Sequence, residues 1–181
     1  MKTMSAAPDR VIKILLVDDH AMFREGLARM LATEQDLEVI GEVSSAREGL
    51  TLLNSQTDVV LLDVDLGRER ALEFVERAKS ASFQGRILVV TAGISGREAV
   101  QLVQAGVAGI LHKNHPTKVL CGAIRKVMAG EACMEDEYLT FTLPAAHAIR
   151  TPGPGMAPIL AAVAASAVAA VAVAGRRRRG A

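Results

Sequence analysis

Cysteine is scarce in this chain. Cys121 and Cys133 are the only two in 181 residues, too few for a secreted disulfide scaffold and without the spacing of a zinc site. The N-terminus lacks the cationic and apolar pattern of a secretory leader, so a reducing cytoplasm is the expected location. Net charge is nearly absent as well. The 21 Lys and Arg against 20 Asp and Glu leave +1, which favours neither nucleic acid nor an acidic ligand as the main partner. The distribution is uneven: no acid lies beyond Glu137, and residues 176 to 179 are four consecutive arginines. Residues 1–150 therefore carry 17 bases against 20 acids, a balance of −3. No glycine-rich Walker loop occurs either, which argues against a P-loop nucleotide site.

What is present is a repeated alternation. At roughly 100–200 residues per domain, the length suits one domain with an appendage. Three apolar runs, Ile12 to Val17, Val59 to Leu62 and Ile87 to Val90, are too short for helices and rich in β-branched residues, so they predict strands buried on both faces. Leu37 to Val43 and Gly109 to Leu111 are weaker strand candidates. Between the strands, apolar residues recur at helical spacing, as in Phe23, Leu27, Met30 and Leu31, or Val119, Ala123 and Val127 beside Leu120, Ile124 and Met128. Five strand–helix units over residues 11–130 predict an α/β fold with a doubly wound five-stranded parallel sheet.

Such sheets bind ligands in the crevice at the carboxyl ends of their strands. Asp18-Asp19 ends the first strand, Asp63 the third, Thr91-Ala92 the fourth and His112-Lys113 the fifth. Three carboxylates in one crevice repel unless a cation lies between them. Magnesium suits them, because it takes oxygen ligands and is usually shared between one or two carboxylates and phosphate oxygens. A lysine can neutralise further phosphate oxygens and a threonine hydroxyl can hydrogen-bond another. These are the parts of a phosphoryl-transfer site. Without a Walker loop, the acceptor is expected to be an aspartate side chain.

Val17-Asp18-Asp19-His20, Leu61-Leu62-Asp63-Val64-Asp65, Val90-Thr91-Ala92 and Lys113 together resemble the receiver domain of bacterial two-component response regulators, over residues 11–130. The stretches from Asp19 to Leu27 and from Ala105 to Leu111 are similar to the LuxR-type subfamily, whose members usually carry a helix-turn-helix DNA-binding domain. The resemblance implies a flavodoxin-like, CheY-like fold and a switch in a phosphorelay. It makes Asp63 the acceptor of a phosphoryl group from a sensor histidine kinase. Mg2+ would be held by Asp19, by Asp63, by Asp18 through a water and by the backbone carbonyl of Asp65. Lys113 and Thr91 would contact the phosphoryl oxygens. It implies no enzyme activity beyond self-catalysed transfer and autodephosphorylation, and a homodimer through the fourth-helix and fifth-helix face is compatible with it.

Three positions depart from the family pattern. Ile110 stands where many receivers have a switching aromatic, Gly67 replaces a proline four residues after the acceptor, and Pro116 comes three residues after Lys113 rather than next to it. Pro116 suits the first turn of the last helix, and Gly67 predicts a more flexible loop.

Plainer readings apply elsewhere. Asp18-Asp19 alone would suit a helix N-cap, and Asp63-x-Asp65 also resembles the nucleophile motif of haloacid-dehalogenase-type phosphatases. Those enzymes put the nucleophile on the first strand and an acidic pair on the last, the reverse of the order here. His112 and His115 read as surface residues without an acid partner, Cys121 as packing, and Ser44-Ser45 and Thr33 as loop and helix-end residues.

Beyond residue 130 the pattern fades, and residues 131–155 read as a linker that ends in the breaker cluster Thr151-Pro152-Gly153-Pro154-Gly155. Residues 156–181 form an Ala/Val-rich tail closed by the arginines. Its 16 uncharged residues, 159–174, would span about 24 Å as a helix, short of a bilayer core of about 30 Å, so a membrane anchor is disfavoured. Weak, salt-sensitive attraction to nucleic acid or anionic lipid is a second reading. The third is that Ala, Gly, Arg, Pro and Val mark a GC-rich gene read out of frame where an output domain should begin. DNA binding, expected of the subfamily, finds no recognition residues in this tail. A transcription regulator without its output domain and a single-domain receiver acting by protein contacts or as a phosphate sink are the two alternatives left open.

Overall fold

A computed structural model describes residues 10–135 and Tyr138; the tail and most of the linker lie outside the described residues. The chain runs β1 (Ile12–Val17), α1 (Ala21–Leu31), β2 (Leu37–Val43), α2 (Ala46–Leu52), β3 (Val59–Leu62), β4 (Asp65–Leu66), β5 (Glu69–Arg70), α3 (Ala71–Ser80), β6 (Arg86–Thr91), α4 (Gly96–Ala105), β7 (Gly109–His112), α5 (Thr117–Met128) and β8 (Cys133–Met134). The main sheet has the order β2-β1-β3-β6-β7-β8, and all its pairings are parallel. The expected doubly wound α/β sheet with five helices is present, with six strands instead of five.

The apolar runs are unbroken because each strand feeds two cores. Leu15, Val17, Val60, Leu62, Ile87 and Val89 face α2, α3 and α4, where Phe74 and Leu102 are fully buried. Ile14, Leu16, Val59, Leu61, Leu88 and Val90 face α1 and α5 and meet Leu27, Leu31, Leu120 and Ile124. Alternation of side chains across the pleat sends neighbouring residues to opposite layers, and helices on both faces cover them.

The sixth strand arises inside the stretch expected to be linker. β8 pairs with β7 through Gly109↔Cys133 and Ile110↔Met134, and the Cys133 N–H donates to the Ala108 carbonyl at 3.1 Å. A Cβ on Gly109 would lie 2.0 Å from the Cys133 carbonyl oxygen, so only glycine permits this approach. Tyr138 follows and is buried in the same core as Ile110. Two residues are too few for hydrophobic alternation to announce a strand.

The segment after Asp63 is also more ordered in outline than a loop. β4 and β5 form a hairpin with Gly67 and Arg68 at its turn. Gly67 has φ +69 while Arg68 has no positive φ, the pattern of a type II′ turn with glycine first. Glycine here serves a tight reversal that proline, fixed near φ −65°, cannot make. Glu69 Oε2 then accepts from the backbone N–H groups of Ala46 at 2.5 Å and Arg47 at 3.3 Å, tying the hairpin to the start of α2. Pro116 has φ −55 and ψ 142 and caps α5 one residue before its first turn. Thr33 and Ser45 behave as helix-end residues: Thr33 Oγ1 donates to the Met30 carbonyl at 2.7 Å, and Ser45 Oγ accepts from Glu48 N–H at 3.2 Å. Cys121 is buried in the α1/α5 core.

Candidate functional site

The strand order reverses between β1 and β3, whose neighbours β2 and β6 lie on opposite sides. Such a switch point opens a crevice at the carboxyl ends of the strands. Asp18 and Asp19 directly follow β1, Asp63 follows β3, Thr91 ends β6, and Lys113 follows β7. The parallel register sets the last two side by side, because Thr91 pairs with His112 and the Lys113 N–H donates to the Thr91 carbonyl at 2.7 Å.

Lys113 closes the cluster. Its Nζ lies 2.6 Å from Asp63 Oδ2 and 2.7 Å from Asp18 Oδ2, with the lysine side chain 11% exposed and Asp63 only 2%. The ammonium also stands 4.6 Å above the Phe23 ring, an attraction that adds to the two ion pairs. Asp63 Oδ1 accepts the Val64 N–H at 2.7 Å. Burial pushes the Asp63 carboxyl above its ordinary value; the Lys113 hydrogen bond opposes this and the neighbouring Asp18 charge adds to it.

Asp18 is placed by local bonds of the β1–α1 turn. Its Oδ1 accepts the His20 N–H at 2.8 Å, an Asx turn, and its carbonyl accepts from Arg24 Nη1 at 2.5 Å. The turn carries His20 over the acids. His20 Nδ1 is 2.8 Å from Asp19 Oδ1, 3.3 Å from Asp18 Oδ1 and 3.4 Å from Asp63 Oδ2. Ligand atoms of Asp18, Asp19, His20 and Asp63 all lie within 4.8 Å of one another. Three converging carboxylates with two of them buried suit a divalent cation. The side chain of Asp65, on β4, is exposed, while a backbone hydrogen bond from Asp65 favours the ionised form of Asp63. Thr91 is buried, and its hydroxyl donates to the Gly93 carbonyl at 3.3 Å and accepts from the Gly93 N–H at 3.2 Å.

Asp18, Asp19, Asp63, Thr91 and Lys113, expected at this edge from the sequence, are all brought there by the fold. The contributions of His20, Phe23 and Arg24 were not expected. A signal existed for His20: helix N-caps favour Ser, Thr, Asp and Asn, whereas His20 caps α1 without any side-chain cap bond. His112 and His115 need correction. Glu135 Oε1 lies 3.1 Å from His115 Nε2 and accepts the backbone N–H of His112, so His115 does have an acid partner, supplied by the unforeseen segment around β8. Ile110 is fully buried, and β7 carries no Phe, Tyr or Trp.

Comparison with known proteins agrees with this architecture. Residues 14–125 match the family model described as the response regulator receiver domain. The chain is 33% identical over 129 residues to the response regulator protein VraR of Staphylococcus aureus, covering 71% of this chain and 62% of that protein. It is 28% identical over 137 residues to the nitrate/nitrite response regulator protein homolog of Haemophilus influenzae, covering 75% and 66%. It thus spans a little under two thirds of the length of these relatives. Among solved structures, a LuxR-family two-component response regulator from Aurantimonas superposes with a TM-score of 0.68 at 26% identity, covering 75% of this chain and 97% of that one. The signal receiver domain of NarL from Mycobacterium tuberculosis gives 0.64 at 26% identity, covering 67% and 99%. The phosphatase alternative has no support from these matches. With acids after β1 and β3, a lysine after β7 and a family match across the sheet, this chain belongs to the response regulator receiver family and is related to LuxR-type regulators.

Proposed function

We propose that Asp63 accepts a phosphoryl group from a phosphohistidine on a sensor histidine kinase, and that this chain works as a phosphorylation-dependent switch in a two-component relay. The observation that carries the reading is Lys113 Nζ bridging the buried Asp63 and Asp18 at 2.6 and 2.7 Å. An ammonium held at the nucleophile is placed to neutralise oxygens arriving on it. In the transfer an Asp63 carboxylate oxygen forms the new bond to phosphorus as the P–N bond of the donor breaks, and the departing imidazole nitrogen takes a proton. Asp18, Asp19 and Asp63, with the Asp65 carbonyl, would hold Mg2+. Bound there, the ion would neutralise charge shared between the carboxylates and the phosphoryl oxygens. The chain's own residues catalyse the transfer, consistent with a family of signalling domains rather than enzymes.

Thr91 links transfer to shape. Its hydroxyl is engaged with both the N–H and the carbonyl of Gly93, so a bond to a phosphoryl oxygen would compete with them and release the β6–α4 loop. A protein donor suits the surroundings: beside Lys113, α1 and the start of α5 frame an open cavity of about 230 Å3 with Met22, Met30 and Thr117 on its rim, and Met22 is 91% exposed. Descent from a DNA-binding regulator fits the LuxR-type relatives, while the tail where an output domain would begin lies outside the described residues.

Incubation of the full chain with Mg2+ and acetyl phosphate, followed by intact mass, tests the reading. One added phosphoryl group in the native chain and none in Asp63→Asn is the expected result. A folded native chain that acquires no adduct overturns it.

A further inference from the structure

The Lys113 ammonium is only as well placed as the short turn that carries it. That turn, His112 to His115, is closed on His112 itself: the His115 N–H donates to the His112 carbonyl at 3.2 Å, and the Asn114 N–H donates to His112 Nδ1, also at 3.2 Å. On the β6 side the Lys113 N–H donates to the Thr91 carbonyl at 2.7 Å. Successive N–H groups of a strand point to opposite edges, so the His112 N–H faces the β8 side. β8 is too short to meet it, because its last residue, Met134, pairs with Ile110. The rung that a Glu135 carbonyl would supply in a longer strand is supplied by its side chain instead, with Oε1 accepting the His112 N–H. The same oxygen lies 3.1 Å from His115 Nε2, so one carboxylate holds the turn at both ends, one residue before Lys113 and two after it. Glu135 is itself anchored. The Cys133 N–H is bonded to the Ala108 carbonyl at 3.1 Å and the Tyr138 N–H to the Glu135 carbonyl at 3.0 Å, and the Tyr138 side chain is buried in the core that contains Ile110.

We propose that Glu135 is a positioning residue for the phosphoryl transfer: by completing the β7 ladder beyond the end of β8 it fixes the His112–His115 turn, and with it the Lys113 ammonium at 2.6 Å from Asp63. On the reading of Asp63 as the acceptor, on which this rests, the segment after α5 becomes part of the reaction's machinery rather than a linker leaving it. Glu135 acts through Lys113. Without it the His112 N–H loses its acceptor at the sheet edge, the turn is held from the Thr91 side alone, and the ammonium is free to drift from the oxygen on which the phosphoryl group arrives. Preorganised charge of this kind is effective only while its geometry is held.

The test times adduct formation by intact mass in full chains incubated with Mg2+ and acetyl phosphate. Glu135→Ala should slow it about tenfold, within the range that a displacement of about 1 Å costs. Glu135→Gln, whose amide oxygen still accepts the His112 N–H, should stay within about twofold of the native rate. Because a general loosening of the sheet edge also slows transfer, the Glu135→Ala step is repeated on Lys113→Ala. There it should change the rate by less than about twofold, since an effect that runs through the lysine cannot be lost twice. Circular dichroism certifies that each variant is folded; in place of an unfolded Glu135→Ala, Glu135→Asp, one methylene too short for the rung, should show a loss of about fivefold. A native rate in Glu135→Ala, an equal loss in Glu135→Gln, or the full loss again on the Lys113→Ala background overturns the proposal while leaving Asp63 the acceptor. Absence of any adduct on the folded native chain overturns the acceptor reading and the proposal with it.

Discussion

Among single residues, the most informative is Asp63. Its folded carboxyl titrates above the ordinary value of 3.8 because burial opposes its charge. Ionised Asp63 therefore weakens the fold at neutral pH, and its contribution is most favourable where it is protonated. Asp63→Asn removes that charge and still leaves Lys113 paired with Asp18. The variant should be more stable than the native chain at pH 7. The sign follows from linkage: the gain shrinks as pH falls through the raised pKa of Asp63 and is gone below the ordinary carboxylate value. Urea unfolding of both chains between pH 3.5 and 7.5, without divalent ions, measures it. A variant less stable at pH 7 contradicts the picture of an acceptor whose charge is opposed by burial.

Among the secondary-structure elements, the sixth strand has the sharpest requirement. β8 reaches β7 only because Gly109 has no Cβ, and the Glu135 carboxylate then meets His112 and His115 at the start of the β7–α5 connection. Gly109→Ala forces β8 off the sheet edge or the Cys133 carbonyl away from β7. A cost of about 1–3 kcal/mol is expected, the range for an overpacked interior, together with faster hydrogen exchange at the Cys133 amide. Gly106→Ala is no equivalent control, since Gly106 ends α4 in the left-handed region at φ +101 and would add strain of its own. Gly122 is the better one, because it lies mid-helix and a Cβ added there would meet nothing within 4 Å. Gly122→Ala should raise stability by about 1 kcal/mol.

Over the molecule as a whole, the two faces of the sheet are closed by different means. The α2, α3 and α4 face is packed around Phe74 and capped by Tyr138 from beyond α5. On the other face, Arg125 of α5 reaches across to the α1–β2 turn, with Nε and Nη2 on Asp36 at 2.6 Å and Nη2 on Glu34 at 2.7 Å. The Arg125 hydrogen bond holds the Asp36 carboxyl below its ordinary value. That contribution is fully present above the unfolded carboxylate pKa and is lost as pH falls through the depressed one. Because Arg125 is 42% exposed, the clamp is worth at most about 1 kcal/mol. Arg125→Ala should lower stability by that amount at pH 7 and by progressively less below pH 4, a trend opposite in origin to that of Asp63. Thermal unfolding from pH 7 down to about pH 2 checks it. Among the described residues no helix is long and apolar enough to cross a membrane.

The layered α/β architecture was legible in the residues alone, because unbroken apolar strands and amphipathic helices admit few arrangements that bury both. So were the acids, the threonine and the lysine of the site, since a parallel sheet gathers its strand ends whatever the chain distance between them. Contacts with no local signature had to wait for the folded chain. The place of β8 rests on a missing methyl at Gly109, the acid partner of His115 comes from the far side of α5, and the turn after Asp63 needs a positive φ rather than a loose glycine. The orientation of His20 belongs with these. Its position beside Asp19 was plain in the chain, but only a turn in three dimensions could show that its ring faces three carboxylates instead of solvent.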